Sequence, residues 1–319
     1  KAKRFIPKGK KGKGKGSVDD IEAPTEKTPV GIHFENLNKL LESSGEKEDT
    51  RPIDKIMETL ALLNTQIMDI NTSSHPNEKA YQLVMQRLGG ESAAKVEGEA
   101  TASSDGADPL SLLIQQANAT PQPLRSWLLA IANNTWASLL SSARDYVTQQ
   151  YKVQLLPDYQ KTVVDKFPFY SNAKQAVSIS QFTDFFGPDG KFEKFFNKYL
   201  RVFVNTDSKT WQWKELNGVK FPVNEALLEQ FQRADNIRLA FFKSAEEPIK
   251  IEYSLRVLSL SARAKSAELR LGNTRLDYRH GPKRESIFTW PDAGSSANLV
   301  LTRLNDNTTR FSEKGEWSV

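Results

Sequence analysis

Residues 182–200 read FTDFFGPDGKFEKFFNKYL, and this stretch joins the two halves of the sequence. Its phenylalanines recur at helical spacing on both sides of residues 187–190 (GPDG), a combination typical of a tight turn. We therefore predict a helix, a turn and a second helix, each with an aromatic face. Four of these side chains are expected to join the helical half to the β half as one core: Phe185, Phe186, Phe195 and Phe196.

After residue 200 the apolar pattern changes towards a period of two, which is typical of strands. Asn217-Gly218 lies between two strand-like pieces within 210–221 and predicts a hairpin. Residues 249–257 alternate strictly, and a helix is predicted at about 223–242. Further strand-like pieces, separated by turn residues, lie at about 266–271, 274–280, 286–290, 297–304 and 308–312.

Short strands at this spacing favour an antiparallel sandwich or barrel over a parallel sheet. The predicted fold class is α+β, with a helical domain followed by an antiparallel β-sandwich domain. The predicted domains are a basic, Pro-containing linker over 1–32, a helical domain over 33–198 and a β-sandwich domain over 199–319.

Apolar side chains before residue 160 recur at helical intervals. A flexible interruption is expected near 89–109, where the sequence is small, polar and acidic. Pro157 is expected to end the last of these helices. The predicted helices are 33–42, 53–70, 77–88 and 123–151.

The net charge of +5 belongs to one end of the sequence. Residues 1–16 hold seven Lys and one Arg, and the remaining residues hold 36 basic against 39 acidic side chains. A basic groove in the folded part is therefore not predicted, and no nucleic-acid partner is expected. The Lys-rich start could bind nucleic acid or anionic lipid by charge, or serve as a solubilising linker, which we favour.

The sequence contains little of the chemistry that catalysis needs. There is no cysteine, and the histidines at 33, 75 and 280 lie in different segments. Residues 9–16 (GKKGKGKG) resemble a phosphate-binding loop, but Gly16 stands where Ser or Thr is required. We predict no enzyme, no cofactor and no metal site, and expect His280 to bond a backbone group where Gly281-Pro282 turns the chain.

A group of motifs in the second half of the sequence resembles the C-terminal region of the TssM (IcmF-like) proteins of bacterial type VI secretion systems. The resemblance covers about 167–319. One departure is Asp292, where the family usually has Gly after Trp-Pro. The motifs are FPF at 167–169, FTDFFGPDGKFEKFF at 182–196, WxW at 211–213, LEQFQRADNIRLAFF at 228–242, YRHGP at 278–282 and TWPD at 289–292.

The resemblance implies the periplasmic part of a bacterial inner-membrane protein. It also implies a scaffold that binds the TssJ outer-membrane lipoprotein and the TssL inner-membrane protein and associates with further copies of itself. An alternative is a periplasmic domain that binds or cleaves carbohydrate or peptidoglycan, since sandwiches with several Trp residues also occur in that class. Residues 315–319 (GEWSV) resemble the start of a family strand, Gly-x-Trp followed by apolar residues, that is cut short.

Recognition by a β-sandwich falls to its connecting loops or to an edge strand, because the inward side chains of its strands are used in the core. The loops at 243–248, 272–275 and 291–296 are therefore the predicted contacts with the lipoprotein. The loop at 272–275 is the preferred one, although an ordinary hairpin turn also explains it. The predicted partner-binding residues are Lys243, Glu246, Glu247, Asn273, Arg275, Asp292 and Ser295.

Overall fold

The computed structural model describes residues 35, 37, 39–41, 51–89, 108–216, 218–244, 247–292 and 296–318. The predicted linker over 1–32 and most of the predicted helix over 33–42 lie outside these residues. The helices are α1 (Pro52–Thr72), α2 (Pro76–Gly89), α3 (Pro109–Ala119), α4 (Leu124–Gln150), α5 (Leu156–Thr162), α6 (Ile179–Phe186), α7 (Lys191–Tyr199) and α8 (Glu225–Phe241).

The strands follow the helices along the chain, with the longer ones at the C-terminal end. The short strands are β1 (Lys166–Phe167), β2 (Gln175–Ala176), β3 (Val204–Asn205), β4 (Gln212–Trp213), β5 (Glu215–Leu216) and β6 (Val219–Lys220). The longer strands are β7 (Ile251–Arg256), β8 (Ala264–Leu271), β9 (Thr274–Tyr278), β10 (Glu285–Trp290), β11 (Ser296–Arg303) and β12 (Thr308–Lys314).

Helices α1 to α4 pack around a common apolar core. Helix α1 buries Ile56, Leu63 and Ile70, which recur every seven residues on one face. Helix α3 was not among the predicted helices, yet the sequence contains its start signal. The Asp108 carboxylate caps it by accepting a hydrogen bond from the Ser111 amide at 3.1 Å.

The helical path does not end at Pro157, so that prediction is wrong. Helix α4 passes through a π-helical turn at Tyr151–Leu155 and continues into α5, where Pro157 lies in the first turn. Proline is tolerated there because the first N–H groups of a helix have no intrahelical acceptor. The turn leaves Leu155 buried.

The predicted helix–turn–helix at 182–200 is confirmed as α6 and α7. The turn requires glycine, because a Cβ at Gly187 would lie 2.5 Å from the Thr183 carbonyl oxygen and one at Gly190 would lie 2.7 Å from the Gly187 carbonyl oxygen. The two helices bury their aromatic faces in one cluster, so these rings form core as predicted. The buried rings are Phe182, Phe185, Phe186, Phe192, Phe195, Phe196 and Tyr199.

The C-terminal part is antiparallel, as predicted. Its larger sheet has the strand order β12-β11-β8-β9, and β10 pairs with β7 in a two-stranded sheet. Phe288 of β10 is 1% exposed and packs with Leu271 and Leu276 of the larger sheet. The two sheets therefore share a small core of their own.

The main core runs across the predicted domain boundary at 198/199, which stays a prediction. Phe203, Phe221 and Phe231 follow that boundary in sequence and are buried in the same cluster as the helices before it. The predicted hairpin within 210–221 is present as β5 and β6, with Leu216 opposite Val219 and Gly218 at φ 76°. This segment and α8 connect the helical part to the longer strands.

Candidate partner-binding surface

The three predicted loops gather at one end of the β part. Strand β7 starts opposite the end of β10, because Ile251 is paired with Trp290. The end of β8 is paired with the start of β11, Leu271 with Ala297. We call this the junction end, since the helical part packs against it. The loops at 243–248, 272–275 and 291–296 all start or end there.

The junction end is fixed to the helices by two tryptophans. The Trp317 indole nitrogen donates a hydrogen bond to the Val177 carbonyl oxygen at 2.6 Å, and its ring centroid lies 5.3 Å from that of Phe182 in α6. The Trp290 indole nitrogen donates to the Glu316 carbonyl oxygen at 2.7 Å. The Trp290 and Trp317 rings are 4.8 Å apart between centroids. Polar and aromatic contacts together hold the β part in one orientation.

Two of the predicted loops are joined through Asp292. Its carboxylate accepts a hydrogen bond from the Asn273 backbone N–H at 2.8 Å and a second from the Asn273 side-chain amide at 3.3 Å. Gly272, at φ 55°, lies so close that a Cβ there would overlap the Asp292 carboxylate. A glycine at position 292 has no carboxylate and could not join the two loops in this way.

Arg275 lies on the larger sheet rather than at the tip of its loop. Its guanidinium forms ion pairs with Glu268 at 3.0 Å and with Asp277 at 2.8 Å. These pairs are half-exposed and contribute little stability. They do hold the guanidinium close to β8, so a partner that binds Arg275 must approach the face of the sheet.

The loop at 243–248 lies beside the start of β7. Lys250 and Glu252 form an ion pair at 2.8 Å, which lowers the pKa of the Glu252 carboxyl, and the nearby charge of Lys243 lowers that pKa further. Lys243 and Glu247 are exposed. Two predicted residues, Glu246 and Ser295, lie outside the described residues. The contacts bring Asn273 and Asp292 together, whereas Lys243, Glu247 and Arg275 lie apart from that pair.

Several polar groups elsewhere in the described residues form hydrogen bonds and ion pairs within the chain. No group of three or more His, Asp or Glu side chains there could hold a metal ion. His280 donates from Nε2 to the Ala264 carbonyl oxygen at 2.6 Å, which confirms the predicted backbone bond. A cavity of about 200 Å³ between α7 and α8 is lined by Arg238, which pairs with Asp235 at 2.8 Å and lies 3.7 Å from Glu193. The acids there neutralise the arginine.

Two family models match the chain. The model described as "Type VI secretion protein IcmF helical domain" matches residues 142–247, and that described as "Type VI secretion protein IcmF C2-like domain" matches residues 253–319. The chain belongs to the IcmF family. The family assignment inferred from the motifs of 167–319 is thereby confirmed. The gap between the two matches, residues 248–252, covers the approach to β7 and the first two residues of that strand.

A curated relative and two solved structures extend this result. The "Type VI secretion system component TssM1" of Pseudomonas aeruginosa is 25% identical over 274 residues, covering 86% of this chain and 23% of the relative. The chain therefore spans about a quarter of that protein's length. A structure titled "Type VI secretion system membrane core complex" has a TM-score of 0.70 at 17% identity, with coverage of 91% of this chain and 58% of that one.

A further structure, titled "Type VI membrane complex", has a TM-score of 0.65 at 15% identity and covers 91% of this chain and 55% of that one. At these identities the likeness concerns the fold, and it extends over the helical and β parts of this IcmF-family chain together. Among the described residues, the helices are too short or too polar to cross a membrane.

Sequence reasoning did not identify the residues that fix the junction end. Val177 and Glu316 accept the two indole hydrogen bonds through their backbone carbonyl oxygens. Such contacts join residues that are far apart in the sequence, so they leave no local pattern. Trp317 was expected in a strand, and it instead follows β12 and packs against α6. The Gly-x-Trp motif at 315–317 was the one available signal for this contact.

Proposed function

We propose that this chain is a non-enzymatic, structural part of a type VI secretion membrane complex. In this proposal it lies in the periplasm, binds the outer-membrane lipoprotein TssJ through its β part, and helps connect the outer membrane to the inner membrane and TssL. It works as one of several copies. Its family membership and the titles of the structures that share its fold support the complex, while the resemblance of its motifs supports the partners.

The observation that carries this proposal is the continuous core between the two parts. A scaffold that links two membranes has to transmit position and force without bending at its internal joints. Here Phe182 of α6, Phe241 of α8 and Trp317 meet in one aromatic cluster, with ring centroids 5.1 to 6.4 Å apart. Such packed interfaces resist deformation. The joint therefore suits a rigid spacer better than a hinge.

The junction-end loops remain our proposed lipoprotein contact, with Asn273 and Asp292 at its centre. Their mutual hydrogen bonds fix the two loops before a partner arrives, which lowers the entropic cost of binding. Lys243, Glu247 and Arg275 lie apart from that pair and would add charged contacts at other points of the same end.

Copurification from envelope extract tests the function as a whole. Tagged chain should recover a TssJ-type lipoprotein from detergent-solubilised envelopes, and a variant with Trp290→Ala and Trp317→Ala should recover less because the junction end loosens. Retention on purified peptidoglycan without lipoprotein recovery would instead support the carbohydrate-binding alternative. A matched control is Phe311→Ala, which removes an exposed ring from β12 and leaves the junction unchanged.

A further inference from the structure

The end of the β part opposite the junction is built from three connected segments. The Leu304 backbone N–H donates to the Arg263 carbonyl oxygen at 3.2 Å, and the Lys265 ammonium lies 2.6 Å from the Asp306 carboxylate. The bond from His280 to Ala264 brings in the third segment. We call this surface the distal tip and define it as residues 256–265, 279–285 and 303–307.

The distal tip is strongly basic. It holds seven cations against two carboxylates, whereas the sequence after residue 16 has a small excess of acids. Lys265 is paired with Asp306, and Glu285 accepts a hydrogen bond from the Ser254 hydroxyl. Within the part of the chain that the structure describes, the other six cations form no ion pair with a carboxylate. These are Arg256, Arg263, Arg279, Lys283, Arg284 and Arg303.

Two leucines project from the same surface. Leu258 is 70% exposed and Leu304 is 66% exposed, although both follow strands whose other leucines are at least half-buried. They lie in different segments that the Arg263–Leu304 hydrogen bond holds together. The distal tip thus presents two exposed apolar side chains on the same end of the β part as six cations without a carboxylate partner among the described residues.

We propose that the distal tip binds the surface of an anionic lipid bilayer. Phosphate headgroups would neutralise the cations, while Leu258 and Leu304 would enter the boundary between headgroups and acyl chains. An acidic protein would also match the charge of the tip. However, the cations are spread over three segments and the exposed leucines lie on two of them, and this arrangement suits a broad surface better than a partner of limited area. This inference does not depend on the proposed lipoprotein contact, which lies at the opposite end of the β part.

The Lys-rich segment at 1–16 would also attract anionic vesicles, so the test must report on the tip itself. The chain contains no cysteine, and single Cys substitutions can therefore be labelled without side reactions. An environment-sensitive fluorophore is attached to Leu258→Cys or, separately, to Leu304→Cys in the full chain. The control is Met57→Cys on α1, whose side chain is similarly exposed but lies on the helical part.

The labelled chains are mixed with vesicles of phosphatidylcholine alone or of phosphatidylcholine and phosphatidylglycerol in equal parts. We expect a blue shift at positions 258 and 304 with the anionic vesicles alone, and none at position 57. The substitutions Lys283→Glu and Arg284→Glu should weaken vesicle binding at least about tenfold, since each cation near an anionic surface contributes to affinity. The matched charge change at Lys152→Glu and Lys161→Glu, both exposed on the helical part, should have less effect.

Sedimentation with anionic vesicles and no shift at either leucine position would assign binding to the Lys-rich segment and overturn the proposal. An equal loss of affinity from both charge pairs would overturn it too. If Lys283→Glu with Arg284→Glu lowers Tm, the pair Arg279→Glu with Arg303→Glu is used in its place. Recovery of the lipoprotein is measured separately, so the two proposals can fail independently.

Discussion

The Glu316 carboxylate accepts a hydrogen bond from the Ile179 backbone N–H at 2.7 Å, although the two residues are 137 positions apart. Ile179 is the first residue of α6, and its N–H has no acceptor within the helix. The negative charge also lies at the positive end of the helix dipole. The last described segment of the chain thus completes the start of the aromatic helix pair.

Replacing Glu316 tests this contact directly. Glu316→Ala should lower the free energy of unfolding by about 1 kcal/mol, because it removes a charged acceptor from a helix N-terminus. Urea unfolding followed by circular dichroism measures the change. Glu313→Ala, an exposed acid on β12, serves as the control. Equal effects of the two substitutions would show that the Ile179 contact contributes nothing.

Phe186→Ala tests whether the aromatic cluster supports the fold. The ring is buried and contacts Phe182, Phe185 and Phe169, with centroids 4.8 to 5.5 Å away. Its removal should cost about 3–5 kcal/mol, from lost transfer energy and the remaining cavity. An unchanged Tm would contradict a core role and would point to a docking surface. Phe311→Ala, which removes a ring that is mostly exposed, should cost much less.

Gly272→Ala tests the contact between the two junction-end loops. Gly272 and Gly218 both have positive φ, but a Cβ at Gly218 would meet nothing within 4 Å. Alanine at either position should therefore cost about 1–2 kcal/mol of stability through backbone strain. At position 272 its Cβ would also clash with Asp292. We expect the larger loss of stability at Gly272, and a smaller loss there when Asp292→Ala is already present. Equal losses at the two glycines would contradict the account.

The stability of the helical part should fall at alkaline pH. Burial, followed by the charge of Glu78, raises the pKa of Tyr146 from 10.0 to about 12, and burial raises the pKa of Tyr81 further. The folded state disfavours the ionised phenols. The stability that the two neutral tyrosines contribute is therefore complete below pH 10.0 and is lost as the pH rises through about 12. The Tyr81 hydroxyl also donates to the Lys198 carbonyl oxygen at 2.9 Å.

Urea unfolding from neutral to alkaline pH measures that loss. The double variant Tyr81→Phe, Tyr146→Phe should show a shallower decline above pH 10.0 than the unaltered chain, even if it is less stable at neutral pH. Parallel declines would assign alkaline unfolding to other groups.

The order of elements could be predicted from the sequence because it depends on local periodicity and turn residues. The phenylalanines of 182–200, Asn217-Gly218 and the alternation at 249–257 each act within a few positions. Long-range partners could not be predicted in this way. Asp292 reads as a turn residue, and only the folded chain brings its carboxylate to Asn273.

The distal tip illustrates the same limit for charge. The sequence places Arg256, Lys283 and Arg303 in three separate segments. Only the strand order brings their segments to one end, where two carboxylates remain. The small excess of acids over residues 17–319 therefore gave no indication of this basic surface.

The affinity of the chain for a purified TssJ-type lipoprotein tests the central claim most directly. Three loop variants are compared: Lys243→Ala with Glu247→Ala, Asn273→Ala with Arg275→Ala, and Asp292→Ala. At least one should raise Kd about tenfold, equivalent to about 1.4 kcal/mol, at an unchanged Tm. The control is Trp127→Ala with Ile131→Ala, which removes exposed apolar side chains from α4 and should leave Kd unchanged. Unchanged Kd for all three loop variants, with binding lost in the α4 variant, would place the partner surface on the helical part and contradict this account.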